Sequence, residues 1–179
     1  MTNYQPAHDD HVDLLNRTMA KYHPHLVKAE VRVSLLAAYA RIDDEGNETG
    51  PALKHHGYPA LAKARIVPHR DRVQGLADAE VTIDGNRFAL LSQDEQIALL
   101  DHELEHLELV LDDEGRIKSD DGGRPRLKCK LHDYRIEGFD SVAKRHGKHS
   151  QEVQQYRACF DERGQAYFDF LEQPAEVEA

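Results

Sequence analysis

The sequence predicts an α+β fold, with a small mixed sheet packed against one well-capped helix and further helices flanking it. Three observations carry this. Apolar residues recur at helical spacing near the start of the chain and again after Ser92, short alternating segments fall between Val31 and Leu90, and clusters of turn residues separate them. At 179 residues the chain is long enough for one domain with a substantial core.

Taken in order, residues from about Asp9 to Lys21 form an amphipathic helix, with Val12, Leu15 and Met19 at helical spacing and Leu14 and Thr18 beside them. Val31 to Ala40 begins with strict alternation and then turns apolar, as a strand entering an interior does. The polar turn Asp43-Asp44-Glu45-Gly46-Asn47 follows it. A weak helical pattern covers Tyr58 to Lys63, and Ala64 to Val67 is a second strand, stopped by Pro68. Glu80 to Ile83 alternates, and the turn signal Asp84-Gly85-Asn86 leads into an expected strand Arg87 to Leu90. Lying just before the next helix, that strand is a candidate edge for pairing an extended peptide.

Ser92-Gln93-Asp94-Glu95 has the form of a capping box, so a helix starts there. Ile97, Leu100, Leu104 and Leu107 then form its core-facing stripe. Residues Leu107 to Asp112 are compatible with the end of this helix or with a new strand. Turns at Asp113-Glu114-Gly115 and Gly122-Gly123 mark a small hairpin or flap. A helix from about His132 to His146 stops at Gly147, Ser150 caps a last helix over about 151–172, and an acidic tail covers 173–179. The core of the domain is expected over about 31–147, and no internal repeat is evident.

The charge balance is 33 acidic against 23 basic residues, a formal net charge of −10, which disfavours nonspecific attraction to nucleic acid, so no nucleic-acid partner is expected. No apolar run reaches membrane-spanning length, and the polar start Met1-Thr2-Asn3-Tyr4-Gln5-Pro6 lacks the regions of a signal peptide. A cytoplasmic location is expected. Cys129 and Cys159, the two cysteines, are too few for a disulfide framework and are expected to be reduced. Any metal would therefore be held by His and carboxylate.

Asp101-His102-Glu103-Leu104-Glu105-His106 contains the pattern His-Glu-x-x-His inside the capped helix. Residues four apart sit one turn above each other, so His102 and His106 can present two imidazoles to one ion. Glu103 lies about 100° round the axis from His102, where its carboxylate can take a proton from water activated at an open position of the metal. The apolar stripe falls on the opposite side of the helix. This combination points to zinc (Zn2+) and to hydrolysis.

Catalytic zinc usually takes three protein ligands, so another donor is required. His132 is the favoured one, at the start of the following helix and beyond a hairpin long enough for the chain to return. Asp133 beside it is a possible cap, hydrogen-bond acceptor or oxygen ligand, and Glu137 is the competing ligand. His8, His11, His23, His25, His55 and His56 lack a partnering motif, and exposed or hydrogen-bonding roles are expected for them. Tyr134, Arg145, His146 and His149 are the candidates for stabilising an oxyanion.

The stretches Gly75 to Asp84, Ala98 to His106, Gly123 to Lys128 and His132-Asp133, in that order, resemble the phage metallopeptidase family over about Val31 to Gly147. The resemblance implies a zincin-like fold, His102, His106 and His132 as metal ligands, Glu103 as catalytic acid/base, and a phage, prophage or mobile-element setting. The expected partner is a protein or peptide substrate, including a specific host or repressor protein. The rival expectation is a zinc-stabilised protein-binding module without turnover.

Overall fold

The computed structural model describes residues 2–55, 57–132, 140–150 and 153–154. The chain divides into two compact units, Met1–Leu131 and His132–Ala179. In chain order the first unit contains β1 (Asn3–Pro6), α1 (Asp9–Tyr22), α2 (Pro24–Lys28), β2 (Val33–Tyr39), β3 (Leu53–His55), β4 (Tyr58–Ala60), β5 (Ala62–Ile66), α3 (His69–Val73), β6 (Ala79–Asp84), α4 (Gly85–Phe88), α5 (Gln93–Glu105), β7 (Leu107–Leu109) and β8 (Leu127–Cys129). The described part of the second unit contains α6 (Asp140–His146) and a 3-10 turn, Gly147–His149.

The main sheet is mixed, with strand order β1-β2-β6-β5. β2 and β6 run parallel, while β1 and β5 pair antiparallel on the two outsides. Successive side chains of a strand face opposite ways, so one set, Leu35 and Ala37 of β2 with Ala79, Val81 and Ile83 of β6, meets the helices. There Leu14 and Leu15 of α1, Phe88, and Leu100 and Leu104 of α5 complete the core. The expected stripe of α5 is therefore the buried one: Leu100, Leu104 and the following Leu107 are at most 2% exposed, and Ile97 packs against them. On the other face of the sheet a smaller cluster joins Ala38 and Ala40 to Ala52 and Leu53.

Helix α5 starts where its sequence dictates. The Ser92 side chain accepts from the Glu95 N–H, and the Glu95 carboxylate accepts in return from the Ser92 N–H at 2.8 Å. Two otherwise unpaired donors of the first turn are satisfied in this way. The Ser92 hydroxyl, which donates to the same carboxylate at 2.7 Å, and the Ser92 N–H together hold the Glu95 carboxyl below its ordinary value.

Two expectations are corrected. Arg87 to Leu90 is not a strand: the Asp84 side chain accepts from the Arg87 N–H at 3.1 Å, which makes Asp84 the N-cap of the short helix α4, and no peptide-pairing edge exists there. Tyr58 to Ala60 is extended and pairs with Leu53 to His55, where a helical pattern was expected. His132 itself lies in no regular element, and the residues over which the helix expected from about His132 would begin, 133–139, lie outside the described residues. Asp133, Tyr134 and Glu137, Cys159, His56, the segment 155–172 of the expected last helix and the tail 173–179 lie outside the described residues. The Ser150 Oγ does accept from the Val153 N–H at 3.3 Å, as a cap would.

A repeated turn also emerges. Asp43-Asp44-Glu45-Gly46-Asn47, Asp112-Asp113-Glu114-Gly115-Arg116 and Asp120-Asp121-Gly122-Gly123-Arg124 share one hydrogen-bond pattern. The first Asp accepts two backbone N–H groups on Oδ1, from the third and fifth residues, and the fourth residue is a glycine at positive φ, between 78° and 86°. This is a three-residue hairpin loop, which needs a left-handed residue at its end. The same N–H donors pull the Asp112 and Asp120 carboxyls below the usual carboxylate range, Arg116 and Arg124 acting most strongly.

The last two of these turns fold the chain between β7 and β8 into an excursion that one buried charge cluster pins to the sheet. Asp78 Oδ1 lies 2.6 Å from Nη2 of both Arg72 and Arg124, while its Oδ2 accepts from the Arg32 N–H at 2.8 Å. Arg72 donates to the Pro125 carbonyl and Arg124 to the Arg72 carbonyl, each at 2.8 Å. Asp78 is 1% and Arg72 6% exposed, so removing the shared carboxylate leaves a buried Arg72 with only the more distant Asp120, at 3.3 Å, and takes the Asp78 carboxylate away from half-buried Arg124. Asp78→Ala is expected to lower the unfolding free energy by about 3–5 kcal/mol. Urea denaturation reads this directly, and an unchanged midpoint would mean that the cluster contributes nothing net.

Candidate metal centre

Helix α5 ends at Glu105, and His106 is its C-cap residue, still in helical conformation. His102 and His106 therefore keep the one-turn relation that their spacing implies, with ring centroids 5.1 Å apart. His102 is exposed and His106 half-buried, on the side of α5 away from its apolar stripe. Immediately after His106 the chain becomes strand β7, which settles the ambiguity over Leu107 to Asp112.

β8 pairs with β7, and the pairing continues past its end: the Lys130 N–H donates to the His106 carbonyl at 2.8 Å. The Lys130 carbonyl oxygen lies 2.7 Å from His106 Nδ1. A carbonyl only accepts, so Nδ1 carries the proton and the lone pair of His106 is on Nε2. Lys130 thus both orients this ring and selects its tautomer. Its own ammonium meets Glu105 Oε1 at 2.6 Å.

His132 is two residues beyond Lys130 and directly follows Leu131. Two residues of chain span about 7 Å at most, so a backbone anchored at His106 delivers His132 close to the motif. Among the described residues, His102, His106 and His132 each offer a ligand atom within 4.8 Å of the others. Three neutral imidazoles are a donor set suited to a divalent transition metal, with room left for a non-protein ligand. The three sequence-expected ligands are therefore together.

Glu103, on the same turn, is 5% exposed. Burial pushes its carboxyl above the ordinary 4.5, opposed by the electrostatic influence of the neighbouring His106 and by a hydrogen bond from the Ala64 N–H. The donor is explained by the register of β5. Asp84 donates to the Leu61 carbonyl and Val67 to that of Asp78, so odd-numbered residues between them bond β6 and the peptide groups of Ala62, Ala64 and Ile66 point away from it. The Glu103 carboxylate occupies one of those outward donors.

A second support has no counterpart in the sequence reading. His23, at the junction of α1 and α2, is 2% exposed, and its Nε2 lies 2.7 Å from Asp101 Oδ1. Its Nδ1 is 3.9 Å from Glu105 Oε2. His23 thereby grips α5 on the residues that precede each motif histidine. Its hydrogen-bonding role agrees with expectation, but the residue pair is 78 positions apart and no local pattern announces it. His8 likewise bonds locally, accepting from the Asp10 N–H as the cap of α1. Arg145 and His146 belong to α6 and His149 to the turn after it.

The sequence model of the family described as Putative phage metallopeptidase matches residues 2–159. No curated protein and no solved structure matches the chain. Among the described residues, no helix is long and apolar enough to cross a membrane.

Proposed function

The chain belongs to the phage metallopeptidase family, and from that premise we propose that it is a zinc-dependent peptidase of zincin-like fold acting on a protein or peptide substrate. The observation that carries the reading is the convergence of His102, His106 and His132 beside a buried glutamate on the same helical turn. In this assignment the three histidines hold the ion and Glu103 is the general base. Zinc bound to such a set acts as a Lewis acid, which acidifies water and polarises a carbonyl.

The protein groups then have defined tasks. Lys130 keeps the His106 Nε2 lone pair available by holding the Nδ1 proton on its carbonyl. The Ala64 N–H fixes one side of the Glu103 carboxylate, and burial keeps its basicity above that of an exposed glutamate. Glu103 accepts a proton from the attacking water and returns it to the leaving amine. A proton acceptor whose affinity is raised by desolvation suits both halves of that transfer.

The test is to incubate the zinc-loaded full chain with a proteome-derived peptide library and, separately, with intact cell proteins, and to identify new termini by mass spectrometry. The expected result is a set of cleavages abolished by a chelator and restored by zinc. Stoichiometric zinc without chelator-sensitive cleavage in either mixture would replace this reading with that of a zinc-stabilised binding module.

A further inference from the structure

On the sheet face opposite α5, a half-open cleft of about 510 Å3 is lined by Arg41, Lys54 and Lys63 together with Tyr4, Thr2 and Thr49. Its placement follows from strand alternation. Ala62 and Ala64 of β5 face the helical core, so Lys63 between them faces the other way. We propose that this cleft binds a phosphate-bearing ligand of nucleotide size.

The charge pattern is the first argument. The chain has ten more acidic than basic residues (33 against 23), so a carboxylate is the ready partner for a cation. Arg65, Arg72, Arg116, Arg124, Lys128 and Lys130 each meet a carboxylate. Among the described residues Arg41, Lys54 and Lys63 form no ion pair, and no carboxylate lines the cleft. Three cations gathered without a counter-charge repel one another, and a multivalent anion relieves that repulsion far better than water.

The second argument concerns which anion. Phosphate carries up to two charges and three acceptor oxygens, so it neutralises more of a three-cation cluster than the single charge of a carboxylate does. Both threonine hydroxyl protons are committed to backbone, Thr2 Oγ1 to the Ala52 carbonyl at 3.1 Å and Thr49 Oγ1 to the Arg41 carbonyl at 3.0 Å. Recognition therefore falls to the charged side chains. Tyr4 adds a ring that is 57% exposed, a surface on which a planar base can stack. The volume lies in the range of small-molecule sites, about 300–1,000 Å3.

The experiment is a fluorescence-anisotropy titration of the full chain with fluorescein-labelled hexathymidylate at low salt, competed by thymidine 5′-diphosphate and by a hexaglutamate peptide. Saturable binding is expected, with displacement by the nucleotide if a free nucleotide suffices, or only by unlabelled oligonucleotide if phosphodiesters are the source. The double variant Lys54→Gln/Lys63→Gln should bind at least tenfold more weakly and reduce the salt slope by about 1.4, two cations at about 0.7 each. Lys28→Gln removes a single charge at an exposed position of α2, away from the cleft, and should change nothing. Tyr4→Leu should weaken binding at least fivefold with the salt slope unchanged. Absence of saturable binding, equal binding by the double variant, or displacement by hexaglutamate as effective as by nucleotide would overturn the proposal. His102→Ala and Glu103→Gln should bind the probe as the parent does, so this result stands or falls apart from the peptidase reading.

Discussion

Glu103→Gln is expected to keep its zinc and to lose peptide hydrolysis by about 10²–10⁴-fold, the usual contribution of a positioned general base. The substitution is close to isosteric, and a Gln carbonyl oxygen can still accept the Ala64 N–H that holds the native carboxylate. What it removes is the capacity to take a proton. Stability should not fall, because burying a neutral amide avoids the desolvation that pushes the Glu103 carboxyl upward. Metal content by atomic emission and cleavage of an identified peptide by mass spectrometry, on parent and variant side by side, separate the two effects. Equal cleavage rates would remove Glu103 from the chemistry; loss of zinc with loss of rate would make its role structural.

The motif was legible because helical periodicity converts spacing directly into geometry. Once the capping box fixed the start of α5, the positions of Leu100 and Leu104 inward and of His102 and His106 outward followed from the same angle. The misreading at Arg87 to Leu90 came from a residue type with two uses. Asp followed by Gly and Asn is a hairpin signal, but the Asp84 carboxylate capping the Arg87 N–H turns the same residues into a helix start. β1 escaped notice because Asn3–Pro6 is exposed throughout and is a strand only through its pairing with β2. The repeated turn was visible one instance at a time, yet its identity across three sites lies in side-chain-to-backbone hydrogen bonds.

Support around the site was the least legible part. Lys130 acts on His106 through its peptide group, which any residue except proline at that position could offer in full, so its identity carries no signal. His23 with Asp101 and Asp78 with Arg124 are long-range pairs, and their members, like Arg72, look like ordinary surface charges in sequence. Their burial is decided by the packing of α1 on α5 and of the hairpin excursion on the sheet.

His132→Ala is expected to weaken zinc binding by about a thousandfold while Glu137→Ala leaves it within a factor of a few. Zinc sites of this strength bind with about 10–16 kcal/mol in structural cases, and losing one of three protein donors forfeits roughly a third of that, or about 3–5 kcal/mol. The distinction rests on position. Lys130 is bonded to His106 through both peptide groups, which leaves His132 only two residues from an anchored point, and its ligand atom lies within 4.8 Å of those of His102 and His106. Competition against a chromogenic chelator gives both affinities on folded protein, with His102→Ala as the reference for loss of a motif ligand. Retention of tight binding in His132→Ala together with its loss in Glu137→Ala would transfer the third ligand to the carboxylate. The site would then combine two imidazoles with one oxygen donor, a set that lowers the charge of the bound ion and with it the acidity it confers on water.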